Sequence, residues 1–216
     1  MKQFEVVLEA KRVFNGVMLG DGGLVLPRTS DNAHFYMALA NGRLYLPTDQ
    51  LLCYLAGIAS CLELLDVPVS NGYPKIVEKT SHGKPYMSHE LLTRTSSFLT
   101  RERNRWHIKG IKEVPEDLVL TPVSLAHWFM NDGSSPRQGS AVYASFATYS
   151  FSEHSIELLE HQLASLSIQV NRGKNKQVVK GSGLRLFVQQ ARVNLFMSII
   201  EPYVVEPFRY KIKYRE

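Results

Sequence analysis

Cysteine is almost missing from this chain of 216 residues: only Cys53 and Cys61 occur. Both fall on a stretch expected to form one helix, where eight residues at ~1.5 Å rise hold them about 12 Å apart, too far for a disulfide. They are expected to be buried apolar side chains. The lack of a cross-link points to a reducing, intracellular compartment, with a bacterial or archaeal cytoplasm and an organelle fitting equally well. Long apolar runs are also missing. None approaches the roughly 20 residues that span a bilayer, and Met1-Lys2-Gln3-Phe4-Glu5 does not open a signal peptide. No membrane partner is therefore expected. Acidic residues are in mild deficit, 20 against 25 lysines and arginines for a net charge of +5, which suits a polyanionic partner without requiring one. His127 has no second histidine at helical ligand spacing, so it is read as a core residue and not as a metal ligand.

What the chain does have is an unusual element present twice. Phe14-Asn15-Gly16-Val17-Met18-Leu19-Gly20-Asp21-Gly22 and Leu125-Ala126-His127-Trp128-Phe129-Met130-Asn131-Asp132-Gly133 are apolar runs of helical length, each ending abruptly in Asp-Gly. One such ending alone is a common helix stop, because glycine tolerates the left-handed conformation there. Two of them, followed by similar patterns, indicate an internally duplicated protein.

The first half reads as a helix over 11–20, strands at Leu24-Val25-Leu26 and His34 to Ala40, and an apolar helix over 49–66 capped by Thr48. A second pair of strands, Tyr73 to Lys79 and Pro85 to Thr95, flanks a Ser81-His82-Gly83 turn, and a basic helix runs from Ser96 to Trp106. The second half opens with a hydroxyl cap and first-turn proline at Thr121-Pro122, and its helix runs to Asn131. Strands follow within Ala141 to Tyr149. Ser152 caps a helix whose Ile156, Leu159, Leu163 and Leu166 keep helical spacing. Ile168 to Val170, Gln177 to Lys180 and Leu184 to Gln189 read as strands, and Arg192 to Ile200 as a closing helix. The expectation is an α+β protein of two pseudo-symmetric αββαββα subdomains, 11–105 and 122–212, joined by a linker over 106–121.

These residues resemble the LAGLIDADG homing endonucleases of the single-chain, double-motif type. The second copy, preceded by Thr121-Pro122-Val123-Ser124-Leu125-Ala126, is the closer match, and the first keeps its helix, Gly16, Asp21 and Gly22. Lys112-Glu113-Val114-Pro115 stands where the family has a Lys-x-x-Pro, and Glu201 to Lys211 resembles the family's closing segment. The resemblance implies that the two motif helices pack centrally and that the sheets form a curved, DNA-binding saddle. It makes Asp21 and Asp132 catalytic metal ligands. Gly16 and Gly20, four apart on one helical face, would allow the close approach of backbones. The carbonyls of Gly20 and Asn131 add negative potential and further ligand oxygens at the helix ends. Mg²⁺ is the implied cofactor, with Mn²⁺ expected to substitute and Ca²⁺ to bind without supporting cleavage. Lys112 and Lys211 fall where the family places a basic pocket residue that orients water or offsets phosphate charge.

Strand alternation sends every second side chain to one face, so the DNA surface is expected on the sheets. Arg172, Lys174, Lys176, Lys180 and Arg185 follow one another with no acid between them. Lys75, Lys79, Lys84 and Arg94 are placed similarly in the first half, with Glu78 and Glu90 among them. Arg28, Arg43, Gln138, Gln169, Gln177 and Gln189 are further candidate base readers. In the second motif Asn131 stands beside Asp132 where many relatives have an acid, and His127 replaces the small residue that Gly16 supplies in the first. Such asymmetry fits a long, non-palindromic target. The expected activity is a monomeric endonuclease cutting both strands across the minor groove to leave short 3′ overhangs. An intron RNA maturase, with host intron RNA as partner, and a non-cleaving DNA-binding regulator are the alternatives on the same fold.

Overall fold

The computed structural model describes residues 2–40, 48–138, 141–174 and 181–212. Two compact units emerge, one of residues 1–104 with 205–207 and the other of 105–204 with 208–216. The first contains α1 (Lys2–Leu19), β1 (Gly23–Val25), β2 (His34–Ala40), α2 (Thr48–Leu64), β3 (Lys75–Ser81) and β4 (Lys84–Leu92), and α3 (Ser97–Trp106) crosses the unit boundary. The second contains a small hairpin of β5 (His107–Ile108) and β6 (Ile111–Lys112), then α4 (Pro122–Asp132) and β7 (Gly133–Ser134). A second small hairpin, β8 (Arg137–Gln138) and β9 (Ala141–Val142), is followed by β10 (Ser145–Phe146), α5 (Glu153–Ser165), β11 (Val170–Lys174), β12 (Leu184–Val188) and α6 (Val193–Ile200).

The two sheets share a topology. In the first unit the antiparallel order is β1-β2-β4-β3, and in the second it is β7-β10-β12-β11. In each, the strand leaving the motif helix forms an edge, the next strand lies inside it, and the fourth returns between the second and third. The β8–β9 hairpin is an insertion of the second unit, placed between its first and second sheet strands.

Alternation divides the first sheet. Phe35, Met37, Leu39, His89 and Leu91 are buried on one face, where Phe14 of α1 meets Phe35 with ring centroids 6.2 Å apart. Helix α2 turns Leu51, Tyr54, Leu55, Ile58, Ala59 and Leu62 into this core at helical spacing. In the second unit Trp128 of α4 stacks on Phe146 of β10 at 3.9 Å, and Phe129 meets Phe196 of α6 edge-on at 5.0 Å. The start of α4 has the expected cap: Thr121 accepts from the Ser124 amide while the Ser124 hydroxyl accepts from the Thr121 amide. Ser152 likewise caps α5.

Several expectations are corrected. Helix α1 begins at Lys2, not near residue 11. Its first two turns have no glycine or proline and are helical without being packed: residues 3–8 are exposed, Phe4 at 73%. A helix without a buried face shows no amphipathic period, which is why the sequence does not mark it. Cys53 is exposed and Cys61 half-buried, because both lie off the face that α2 presents to the core. The strands expected within Ala141 to Tyr149 are β9 and β10, two residues each, and an unexpected strand, β7, starts at Gly133 directly after α4. Strand β11 starts at Val170 and continues to Lys174; the strand expected over Gln177 to Lys180 lies outside the described residues.

Two glycines should respond in opposite directions to alanine. At Gly133 an added Cβ would sit 2.1 Å from Phe129 Cδ2 and 2.4 Å from the Phe129 carbonyl oxygen, whereas at Gly57 in α2 nothing lies within 4 Å. Gly133→Ala should cost about 2 kcal/mol or more. Gly57→Ala should gain about 0.5–1 kcal/mol. Urea denaturation midpoints of the two variants check both signs.

Candidate functional site

Each motif helix ends in the same steric trap. In the first unit the Gly20 and Gly22 amides both donate to the Val17 carbonyl, at 3.1 and 2.8 Å. A Cβ on Gly22 would lie 2.7 Å from that carbonyl oxygen and 3.0 Å from the Phe35 ring. In the second, the Gly133 amide donates to the Phe129 carbonyl with φ −80° and ψ 151°, already extended. Glycine is therefore required here by close approach; at Gly133 a left-handed turn has no part in it. In the second unit the chain passes from helix to first sheet strand with no intervening residue, and in the first it passes through Gly20-Asp21-Gly22, so that each aspartate lies at or just past its helix end. Asp21 is exposed and Asp132 half-buried.

The end of α4 is held by Lys211. Its ammonium donates to the carbonyls of Met130 at 2.6 Å, Gly133 at 2.9 Å, Phe129 at 3.2 Å and Asn131 at 3.3 Å. The last four carbonyls of a helix have no partner within it, and a cation at this end also offsets the helix dipole. Ser135 Oγ donates in turn to the Lys211 carbonyl, tying the closing segment to the chain just past the motif. The Asn131 side chain bends back, its Nδ2 donating to the His127 carbonyl at 2.6 Å. Lys112 is half-buried on β6, opposite His107 in the ladder. His127, half-buried on α4, is pushed down to a pKa of about 4 by burial, so it stays neutral at ordinary pH.

Carboxylates at Asp21 and Asp132 and backbone carbonyls at Gly20 and Asn131 are hard oxygen donors. Hard donors of this kind fit Mg²⁺, which takes one or two protein carboxylates and fills its octahedron with water and phosphate oxygens. Among the described residues no group of three or more His, Cys, Asp or Glu side chains could hold a metal on its own.

The sheet residues separate by face. Strand pairing sets Arg185 opposite Gly173 and Phe187 opposite Asn171, on the face away from the buried Leu186 and Val188. Arg185 lies 5.6 Å from the Phe187 ring, and that ring packs where a Gly173 Cβ would be, 2.4 Å away. Gln189 Nε2 donates to Asn171 Oδ1 at 3.2 Å, and half-buried Gln169 belongs to the same row. Arg172 and Lys174 take the other parity. Arg172 is gripped by Glu160 of α5 at 2.7 and 2.6 Å, so it faces the helix and not the open surface expected of it. In the first unit exposed Lys75 lies 4.4 Å over the Tyr73 ring. Lys79 pairs with Glu90 and Tyr36. Lys84 is exposed at the hairpin turn, Arg28 is exposed in the loop after β1, and Arg94 donates to Asn71 at 3.0 Å beyond the end of β4. Arg43, Lys176, Gln177 and Lys180, and the side chain of Gln138, lie outside the described residues. The sequence reading did not find Tyr36, Glu90, Asn171 or Phe187. Their only signal is parity, each sharing a face with a residue it did single out.

Two measurements follow. Lys211→Met leaves several helix-end carbonyls without their donor and should cost about 1–3 kcal/mol in denaturant unfolding. Separately, His127 titrates at 6.5 in an unfolded chain and at about 4 in the folded one. Between these values the unfolded chain binds a proton that the folded one refuses. Stability is then full above pH 6.5 and falls as the pH drops, by no more than about 3 kcal/mol. Denaturation between pH 7 and 4 should show this loss, and His127→Gln should flatten it.

Comparison with known proteins agrees with this geometry. A family model described as the LAGLIDADG DNA endonuclease family matches residues 11–196. An uncharacterized protein of Methanocaldococcus jannaschii is 32% identical over 111 residues, covering 51% of this chain and 42% of its own. The DNA endonuclease I-ChuI of Chlamydomonas applanata is 26% identical, covering 53% of each. A cytochrome b mRNA maturase, bI2 of Saccharomyces cerevisiae, is 27% identical over 50% of this chain and 26% of its own. The matches thus span about half the length or less of these curated relatives. Among solved structures, the homing endonuclease I-WcaI bound to its DNA recognition sequence aligns with a TM-score of 0.76 at 18% identity, over 96% of this chain and 87% of that one. A mesophilic variant of I-DmoI aligns at 0.52 and 14% identity, over 90% and 96%. The fold is the α+β fold of single-chain homing endonucleases, and the chain belongs to the LAGLIDADG DNA endonuclease family.

Proposed function

We propose that this protein is a site-specific, metal-dependent double-strand DNA endonuclease, with Asp21 and Asp132 as its two acidic centres. The observation that carries this reading is the matched pair of helix ends. Each unit joins its motif helix to its first sheet strand through at most three residues and a glycine that a side chain would crowd, and each leaves one aspartate at or just past the helix end. A protein that only bound nucleic acid would have no use for both carboxylates. In this reading each unit supplies one aspartate and one sheet, and the sheets lie along the major groove, where side chains read base edges and lysines hold phosphates.

The chain's own residues divide the work. Asp21 with the Gly20 carbonyl, and Asp132 with the Asn131 carbonyl, would be the oxygen donors for divalent metal, Mg²⁺ first and Mn²⁺ in its place. When bound, the metal supplies the Lewis acidity that lowers the pKa of a water and offsets charge on the leaving 3′ oxygen. Lys211 fixes the end of α4, and so the position of Asp132, through the carbonyls it already binds. Lys112 offers a second ammonium on the approach to α4, suited to orienting water or countering phosphate charge. Cleavage of both strands across the minor groove, one per aspartate, leaves short 3′ overhangs on a long, asymmetric site, and the protein acts as a monomer. The maturase bI2, similar over half of this chain, favours host intron RNA as the second partner to test.

The experiment is cleavage of a pooled library of uninterrupted host-locus DNA with Mg²⁺, Mn²⁺, Ca²⁺ or EDTA, with the Asp21→Asn and Asp132→Asn proteins alongside. A double-strand cut at one site is expected with Mg²⁺ and Mn²⁺ only. Each variant should lose at least about a hundredfold in double-strand cleavage while still binding the site. Full activity in either variant would overturn the assignment. Tight DNA binding without cutting would identify a regulator, and affinity for intron RNA alone a maturase.

A further inference from the structure

Four side chains on the first sheet form a hydrogen-bonded knot on the face opposite Phe35, Met37 and Leu91. Tyr36 of β2, Lys79 of β3 and Ser88 and Glu90 of β4 share this face by register, since Tyr36 pairs with Leu92, Ala38 with Glu90 and Lys75 with Glu90. One oxygen, Glu90 Oε1, accepts from the Tyr36 hydroxyl at 3.0 Å, from Ser88 Oγ at 3.1 Å and from the Lys79 ammonium. Lys79 Nζ also donates to the Tyr36 hydroxyl oxygen at 3.3 Å. Glu90 is 6% exposed, while the Lys79 side chain keeps 37% of its surface. Burial works against the Glu90 charge, but hydrogen bonds from Lys79, Tyr36 and Ser88 outweigh it and hold the carboxyl below its ordinary range. The same bonds, that to Glu90 first, push the Lys79 ammonium above its own.

This arrangement is odd for a phosphate clamp. A lysine that holds a phosphate works through a mobile, uncompensated charge that releases counterions. Lys79 has neither property, since its charge is cancelled by a buried carboxylate and two of its three N–H donors are engaged. What remains is one N–H donor on a stem whose ordering cost has already been met in the free protein. A fixed donor without net charge is suited to a base edge. In the major groove guanine presents paired acceptors, O6 and N7, to such a group. We propose that Lys79, held by Glu90 and Tyr36, reads a guanine edge and does not contact phosphate, with Glu90 and Tyr36 as positioning residues. The inference rests on the DNA-endonuclease reading above.

The test selects binding sites from a random duplex library with the wild-type, Lys79→Met, Lys79→Arg, Glu90→Gln and Tyr36→Phe proteins. Affinity for one fixed duplex is then followed against salt. Wild type should yield a consensus containing a required guanine. In Lys79→Met and Glu90→Gln that one position should lose about tenfold or more of its discrimination, with the rest of the consensus intact. Lys79→Arg should restore it, because arginine also donates to O6 and N7. The salt slope should be unchanged in Lys79→Met and steeper by about 0.9 in Glu90→Gln, where the ammonium is released to act on phosphate. Lys79→Met and Tyr36→Phe alter half-buried surface side chains, so a folding defect in Glu90→Gln leaves the test intact. Uniform weakening in Lys79→Met with a slope shallower by about 0.9 would make Lys79 a phosphate contact and overturn the inference, as would an unaltered consensus in every variant. A wild-type protein that binds no duplex would fail earlier, by removing the endonuclease reading itself.

Discussion

The close approach of one glycine to the last turn of a helix organises each unit of this protein. At Gly22 the carbonyl of Val17, and at Gly133 the carbonyl and ring of Phe129, occupy the space a side chain would need. At that contact the helix gives way to the strand, with three residues between them in the first unit and none in the second. The first edge of each sheet is thereby fixed relative to the helix axis, and the remaining strands add to that edge in the same order in both units. The aspartate before the glycine is carried to the tip as a consequence of the geometry.

Much of this was legible in the chain. The apolar runs closing in Asp-Gly, the Thr121-Pro122 start and the Ser152 cap are local signals, and local chemistry decides them. The alternation of helices and strands in each half came through for the same reason. What escaped was governed by contacts distant in sequence or by the absence of contacts. The first turns of α1 are helical without a buried face to give them a period. Strand β7 is two residues long and exists only because β10 pairs with it.

The candidate site was read with a similar division. Asp21 and Asp132 could be placed because their neighbours in sequence place them. The basic residues of the sheets could be counted but not sorted, since sorting depends on partners. Arg172 is taken by Glu160 of α5, twelve residues away, and Lys79 by Glu90 across the hairpin. Both look like free cations in a sequence and neither is one. An acid such as Glu90 in a basic strand reads as a defect in a polyanion-binding surface, and its meaning becomes visible only when its three donors are seen.

Lys211 gives the second unit a particular order of assembly. The helix end it closes lies about eighty residues earlier in the chain. At a synthesis rate of roughly 5–20 residues per second, α4 leaves the ribosome several seconds before the ammonium that completes it. Until then the Met130 and Asn131 carbonyls lack that donor, while the Phe129 carbonyl already has the Gly133 amide within reach. The clamp on the end of α4 is thus a long-range contact, one that closes only after every strand and helix of that unit's sheet has been made.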